Sequence, residues 1–426
     1  MRSLDHLDDL VASRLCVGCG ACAYICPKDK VALWDFLDEG IRPVVQDPAG
    51  CGECRRCVDV CPGVETDFGQ LPPGPALGDA RFRQDWGQVL EIWEGHAVDP
   101  TIRFRGSSGG ALTALAAYCL ERSGMHGVLH IGQNPEDPVR NSTRLSRTRD
   151  DLMKAVGSRY APASVCNGLG LVEAAPAPCA IIGKPSEIAA LRKAESLQPG
   201  LAAKVGVAMS FFCAESPSTA GTLALLEKMG VRPAELADLR YRGEGWPGHF
   251  APTRRGETAP ADKMTYAESW AFLQRFRPWS VQLWPDGSGE LADISCGDPW
   301  YEQPDGENPG FSLVVVRTEK GREIVRGAIA AGYLHLTLAE PWKLAKSQAN
   351  LAAKKGAVGG RIFAQRLAGL RAPRFSRASL VRCWLRLPLG EKIKSSLGTL
   401  RRIFQRKLHR PLRLERRSGV PITRPR

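Results

Sequence analysis

Two cysteine runs near the amino terminus restrict this chain more than any other feature. The first reads Cys16-Val-Gly-Cys19-Gly-Ala-Cys22-Ala-Tyr-Ile-Cys26-Pro27, and the second reads Cys51-Gly-Glu-Cys54-Arg-Arg-Cys57-Val-Asp-Val-Cys61-Pro62. A loop with ligands three residues apart wraps three corners of a cube, and the proline ends the turn. This spacing holds a cubane iron–sulfur cluster through three thiolates of one run and the fourth cysteine of the other. By that crossing, Cys16, Cys19, Cys22 and Cys61 are candidate ligands of one [4Fe-4S] cluster, and Cys51, Cys54, Cys57 and Cys26 of a second. Gly18, Gly20 and Gly52 let backbone N–H groups approach inorganic sulfide. A zinc site takes four ligands and has no use for the third cysteine of each run. A disulfide framework belongs to secreted chains; Met1–Leu10 carries acids and no apolar stretch, so the sequence predicts no signal peptide.

The 426 residues suffice for two or three domains. No apolar run approaches the roughly twenty residues of a membrane span. The expected compartment is the cytoplasm, which also suits clusters that oxygen attacks. Charge is unevenly placed: from Lys354 to the end there are 21 Lys or Arg against two acids, whereas the remaining 353 residues hold 37 bases and 43 acids. The body is mildly acidic and the tail alone is basic, so the overall net charge of +13 says nothing about an active site.

Hydrophobic periodicity divides the rest. Lys30–Leu37 and Ile41–Gln46 read as two short strands around Asp38-Glu39-Gly40. Leu71-Pro-Pro-Gly-Pro75 reads as a linker. From Gln88 onward, strands at Val89–His96, Gly127–Ile131, Cys179–Ile182, Ala203–Phe212 and Gly310–Arg317 alternate with helices at Ala111–Arg122, Glu187–Ser196, Thr219–Met229 and Arg322–Ala331. Such alternation predicts a sheet with helical cover and ligands in the loops at strand ends. Arg103-Phe-Arg-Gly-Ser-Ser-Gly-Gly110 feeds a helix amino terminus, where unpaired N–H groups and the helix dipole favour an anion. Arg240-Tyr-Arg-Gly-Glu-Gly-Trp-Pro-Gly248 and Leu291-Ala-Asp-Ile-Ser-Cys-Gly-Asp-Pro-Trp300 are loops dense in Gly, Trp and Asp.

The cysteine runs together with Ser107-Ser-Gly-Gly110, Gly157-Ser-Arg-Tyr160, Gly183-Lys-Pro185, Phe212-Cys213, Tyr241-Arg-Gly243, Trp246-Pro-Gly248, Ala292-Asp-Ile294 and Gly297-Asp298 resemble, in this order, the coenzyme F420 hydrogenase/dehydrogenase beta-subunit family. That family includes 7-hydroxymethyl chlorophyll a reductase-like iron–sulfur flavoproteins. The resemblance, over roughly Cys16 to Glu340, implies an α+β/α/β chain: a dicluster bacterial ferredoxin-like module over 1–70, a linker over 71–87 and a mixed α/β FAD body in two parts over 88–230 and 231–345; beyond it the charge pattern predicts a basic helical or disordered tail over 346–426.

It further implies that Ser107, Ser108, Gly109, Gly110, Ser158, Arg159, Tyr160, Gly183, Lys184 and Pro185 cradle FAD, with Arg159 and Lys184 neutralising its diphosphate or the reduced ring. Family members often carry cysteines where this chain has Ser186, Val281 and Trp284, so no additional body cluster is expected.

The expected function is an oxidoreductase relay: a ferredoxin or other one-electron donor, two [4Fe-4S] clusters, FAD, then an organic acceptor. The alternative is an electron-transfer subunit of a larger complex with no substrate site of its own. Arg242, Trp246, His249 and Asp298 are the candidate acceptor-site residues: a clamp, a flat apolar face and two proton donors.

In the tail, Ile393, Leu397, Leu400, Phe404 and Leu408 recur at helical spacing among Lys and Arg. That pattern predicts a basic amphipathic helix that lies peripherally on an anionic inner membrane face. No nucleic-acid-reading motif accompanies the charge, so no nucleic-acid partner is expected. Deleting the residues after Ala357 is expected to spare clusters and flavin.

Overall fold

The structure, a computed structural model, describes residues 6–302, 309–415 and 418–425. Its centre is an eight-stranded mixed sheet in the order Leu334–Leu338, Glu91–Ala97, Ser312–Val316, Ile294–Gly297, Val205–Phe211, Cys179–Gly183, Val128–Gln133, Asn141–Ser146. The four strands from Ile294–Gly297 to Val128–Gln133 run parallel, and the others pair antiparallel. The parallel centre is buried on both faces, which explains continuous apolar runs such as Val207–Met209 and Cys179–Ile181.

One face carries the helix Ala111–Glu121, packed through Ala114, Leu115 and Ala117 against Val207, Met209, Val314 and Val325. The helix Pro185–Leu197 lies in a second core with Leu129, Ile181 and Trp284. A small antiparallel sheet, Leu236–Arg240, His249–Arg254 and Met264–Thr265, stands beside these layers.

The cysteine runs form a compact module around the hairpin Val31–Phe36/Gly40–Val45, with helices Leu7–Ala12 and Ala21–Ile25. Val17, Cys19, Ala21, Ile25 and Val60 share a core with Val165, Leu169, Ile188 and Leu191 of the body. Cys166 N–H donates to Cys19 C=O at 3.1 Å. The module is therefore built onto the sheet, and its core continues into the body.

The basic carboxy-terminal segment is helical and strand-paired where described. Helices Leu380–Leu385 and Leu389–Gln405 pack on Ala349–Leu367. Arg374–Ser376 pairs parallel with Glu65–Asp67, and Gly419–Pro421 adds a third strand to the cluster-module hairpin, Trp34 facing Pro421. Leu408, Leu412 and Leu414 pack against the core containing Cys16 and Cys61. The expectation that the tail can be removed without touching the clusters meets a tail that long-range strand pairing stitches to the cysteine module, and no local pattern in the sequence records such pairing.

Candidate functional site

The eight cysteines divide into two sets of four. Cys16, Cys19, Cys22 and Cys61 ring a tight cavity of about 10 Å³ walled by Leu7, Leu10, Val17 and Leu33. Cys26, Cys51, Cys54 and Cys57 line a wider one of about 290 Å³ with Pro27, Lys28, Lys30 and Arg56. Each set is three cysteines of one run and the last of the other, the grouping the ligand crossing requires. Gly18, at φ +78°, would set a Cβ 2.8 Å from Ile41 C=O, so only glycine brings the loop close enough for its N–H to reach Cys16 Sγ, at 3.4 Å. Lys30 N–H meets Cys26 Sγ at the same distance.

The first set is buried throughout, whereas Cys54 of the second is exposed. Burial, reinforced by the Cys16 charge, pushes the Cys61 thiol up to about 12. Burial likewise pushes Cys57 up to about 11. The four thiols of the first set, all held up by burial, become thiolates together only when a bound metal cation compensates them. Four thiols at each place are the donor set of a cubane cluster.

Glycines draw four body loops together at a second place. A Cβ on Gly310 would lie 2.3 Å from Ser108 C=O and 3.2 Å from Trp246 Cβ; on Gly243, 2.4 Å from Arg105 C=O; on Gly157, 3.1 Å from Arg242 C=O. The Ser107–Gly110 turn, starting the helix Ala111–Glu121 from a left-handed Gly110, thus abuts the segments around Ser158 and Trp246. Ser158 N–H donates to Ser107 Oγ at 2.5 Å, Ser108 Oγ to Phe311 C=O, and Gly109 N–H to Ser312 Oγ at 2.9 Å.

Three of the four acceptor-site candidates converge here. Arg242 forms two parallel bonds to Asp298, 2.9 and 2.7 Å, and Trp246 Nε1 donates to the same carboxylate at 2.9 Å. Burial opposes the Arg242 charge, and Asp298 more than restores it, holding the guanidinium well above its ordinary value. The guanidinium lies 4.5 Å from the Tyr266 ring centre, and Trp300 stacks between Trp246 and Tyr266 at 5.5 Å from each. His249 stands apart, exposed at the start of its strand opposite Thr265. Tyr266 and Trp270, at helical spacing on Tyr266–Leu273, were not singled out from sequence; their i, i+4 pairing was the available signal.

Two cradle candidates lie differently from the expectation. Arg159 donates to Asn141 Oδ1, Gln133 Oε1, Pro138 C=O and Leu239 C=O. With its N–H groups so committed it ties the small sheet to the large one and has no fork left for a diphosphate. Lys184 is buried beneath the cluster module, where Nζ bonds Glu187 and Ala163 C=O at 3.1 Å each; Gly183 and Pro185 flank it at the end of one strand and the start of the next helix. Glu187 in turn accepts from Val165 N–H at 3.1 Å. Nearby, Glu215 is buried with both carboxylate oxygens lacking a protein partner, as do Ser186 Oγ and Trp284 Nε1. Burial raises the Glu215 carboxyl, against the pull of Lys184 and Lys354.

For a flavin, the fit is uneven. Of the stacked rings, Trp300 and Tyr266 are partly exposed and aromatic enough to meet a flat conjugated ring while Trp246 is buried, whereas the side chains of Ser107, Ser108 and Arg159 already serve the protein.

Comparison with known proteins follows the same division. The "4Fe-4S dicluster domain" matches residues 15–63. "Coenzyme F420 hydrogenase/dehydrogenase, beta subunit N-term" matches 92–169, and the corresponding C terminus matches 178–341. The coenzyme F420-dependent sulfite reductase of Methanocaldococcus jannaschii is 24% identical over 345 residues, covering 75% of this chain and 46% of that protein. The chain thus spans less than half the length of that relative. The coenzyme F420 hydrogenase subunit beta of Methanococcus voltae is 25% identical over 254 residues, 58% of this chain and 84% of that one. In fold, a chain of the F420-reducing [NiFe] hydrogenase complex from Methanosarcina barkeri superposes with a TM-score of 0.54 at 20% identity, covering 70% of this chain and 99% of that one.

Proposed function

This chain belongs to the coenzyme F420 hydrogenase/dehydrogenase beta-subunit family, and from that premise we propose that it is an iron–sulfur electron-transfer subunit of a larger redox assembly. The observation that carries the reading is the pair of four-thiol cavities, one open at Cys54 and one enclosed against the body. Two [4Fe-4S] clusters there supply one-electron steps. The eight cysteines named above are their proposed ligands. The exposed set faces solvent, where a ferredoxin or another one-electron donor can approach. The enclosed set is fastened to the body through the Cys19–Cys166 hydrogen bond. The Lys184–Glu187 pair lies beneath the segment carrying that bond and braces it through Val165.

FAD in the body supplies the conversion between single electrons and a pair. Trp300 and Tyr266 are the proposed ring-facing residues, backed by Trp246, and the Ser107–Gly110 turn at a helix amino terminus is the proposed neighbour of the phosphates. Arg242 and Asp298, by pairing with each other, hold Trp246 in place. F420 as the organic acceptor is carried over from the names of the relatives.

The second reading, a reductase complete in itself, is favoured by the partly exposed Trp300 and Tyr266, aromatic rings that a planar substrate can meet. Anaerobic purification with iron, sulfide and flavin analysis tests the shared part: zinc in place of iron and sulfide ends both readings, and a flavin-free chain after reconstitution ends the FAD assignment. Turnover of organic acceptors by the isolated chain with dithionite favours the reductase; turnover only with added partner subunits favours the electron-transfer subunit.

A further inference from the structure

The helix Leu389–Gln405 faces the wrong way for a water-soluble surface. Leu389, Ile393, Leu397, Leu400 and Phe404 form one stripe at three- and four-residue spacing, the pattern that ordinarily turns toward a core. Here the buried positions are Ser395, Thr399 and Ile403. Ser395 Oγ accepts from Trp384 Nε1 at 3.2 Å, and Gly360 packs so closely that a Cβ would lie 2.5 Å from that oxygen. Small polar residues therefore meet the protein, and the apolar stripe meets solvent: Leu389 is 73% exposed, and Leu397 and Phe404 are each 62% exposed.

The two helices beneath it add to this surface. Val381 and Leu385 on Leu380–Leu385, and Phe363 and Leu367 at the end of Ala349–Leu367, are exposed as well. Among the described residues, eight of the fifteen exposed large hydrophobics lie on these three helices, a concentration that scattered surface residues do not produce. Exposed Arg382, Arg386, Lys394, Arg401, Arg406 and Lys407 border them, and Glu391 is the single acid between Arg361 and Lys407.

We propose that this three-helix layer is a docking surface for an anionic phospholipid bilayer, lying in the headgroup plane. Leu, Ile and Phe side chains enter the acyl boundary, and the Lys and Arg stems reach outward to lipid phosphates. The choice of lipid over an acidic protein rests on form and charge. The apolar residues stand out from helix surfaces instead of lining a groove, and bases flank them on both sides with almost no acids to order a partner's register. No helix among the described residues is long and apolar enough to cross a membrane, so the contact is in-plane. The proposal is independent of the electron-transfer reading.

The test uses the full-length, cluster-loaded protein and co-sedimentation with phosphatidylglycerol/phosphatidylcholine vesicles against phosphatidylcholine alone, at low and high salt. The wild type is expected to pellet with the anionic vesicles. Ile393→Gln, Leu397→Gln and Phe404→Gln combined should weaken binding about tenfold or more with unchanged iron content and no loss of melting temperature. Arg401→Glu, Arg406→Glu and Lys407→Glu combined should abolish the preference for anionic lipid. Absence of wild-type binding overturns the proposal, as does binding that survives the Gln variant, which marks adventitious adhesion of a basic protein. Conversion of a dimer to a monomer by the Gln variant, without vesicle binding by the wild type, assigns the face to a second copy of the chain and equally overturns it.

Discussion

Arg242 and Asp298 meet through two parallel hydrogen bonds of 2.9 and 2.7 Å, across 56 residues of sequence, with the arginine side chain only 3% exposed. Two loops, one ending a strand of the small sheet and one following Ile294–Gly297 of the large sheet, are thereby joined at the aromatic stack. Removing one member leaves a charge buried without its partner, which typically costs about 3–5 kcal/mol. Asp298→Ala is expected to lower unfolding stability by that order, and Arg242→Met combined with Asp298→Leu to recover part of it. Chemical denaturation followed by circular dichroism checks both; a loss under about 1 kcal/mol for Asp298→Ala would return the pair to an ordinary surface bridge.

The grouping of thiols makes a sharper claim about individual cysteines. Cys61→Ser is expected to remove the enclosed cluster and Cys26→Ser the exposed one, each preparation retaining about half of the iron. Paramagnetic resonance of the reduced proteins should then show two different residual signals. Identical residual spectra for Cys61→Ser and Cys57→Ser would contradict the crossing.

Gly419–Pro421 closes the edge of the cluster-module hairpin, and Arg424 donates to Ala23 C=O at 2.7 Å. A chain ending at Ser418 is expected to melt at lower temperature and to lose its visible cluster absorbance faster in air, since the strand and Arg424 cover the module beside the helix carrying Cys22. Equal bleaching rates for the two chains would show that this cover is incidental.

His130 is buried on a strand of the large sheet, with Nδ1–H donating to Ile131 C=O at 3.0 Å and Nε2 accepting from Ser146 Oγ at 2.8 Å. Burial lowers it from 6.5 to about 4. The folded state therefore holds the neutral ring while the unfolded chain takes up a proton first, so stability falls as pH drops from about 6.5 to about 4. The full effect is on the order of 3 kcal/mol. His130→Gln should flatten this stretch of the melting-temperature profile; an unchanged slope would place the acid lability elsewhere.

Much of this molecule is written locally. The cysteine spacing dictates which thiols can share a cluster, because ligands three apart on a tight loop leave few alternatives, and the structure groups all eight accordingly. Strands and helices of the sheet follow hydrophobic periodicity, and the Arg242, Trp246 and Asp298 loops are marked by their Gly and Trp content. His249 shows where that signal ends: it follows the loop of Trp246, yet its backbone starts the middle strand of the small sheet opposite Thr265 and its side chain is exposed.

What the sequence alone determined, then, is the chemistry available: eight soft ligands, an alternating α/β body and a basic amphipathic tail. Only the tertiary structure decided how that chemistry is deployed. Arg159 is committed to three backbone and side-chain segments, Lys184 is sealed beneath the cluster module, the apolar stripe of Leu389–Gln405 is turned outward, and the last strand is returned to the first hairpin. The physical reason is that periodicity and spacing record interactions between near neighbours. Which donors are already satisfied, and which face of a helix is buried, depend on contacts hundreds of residues apart, whose partners no local pattern names.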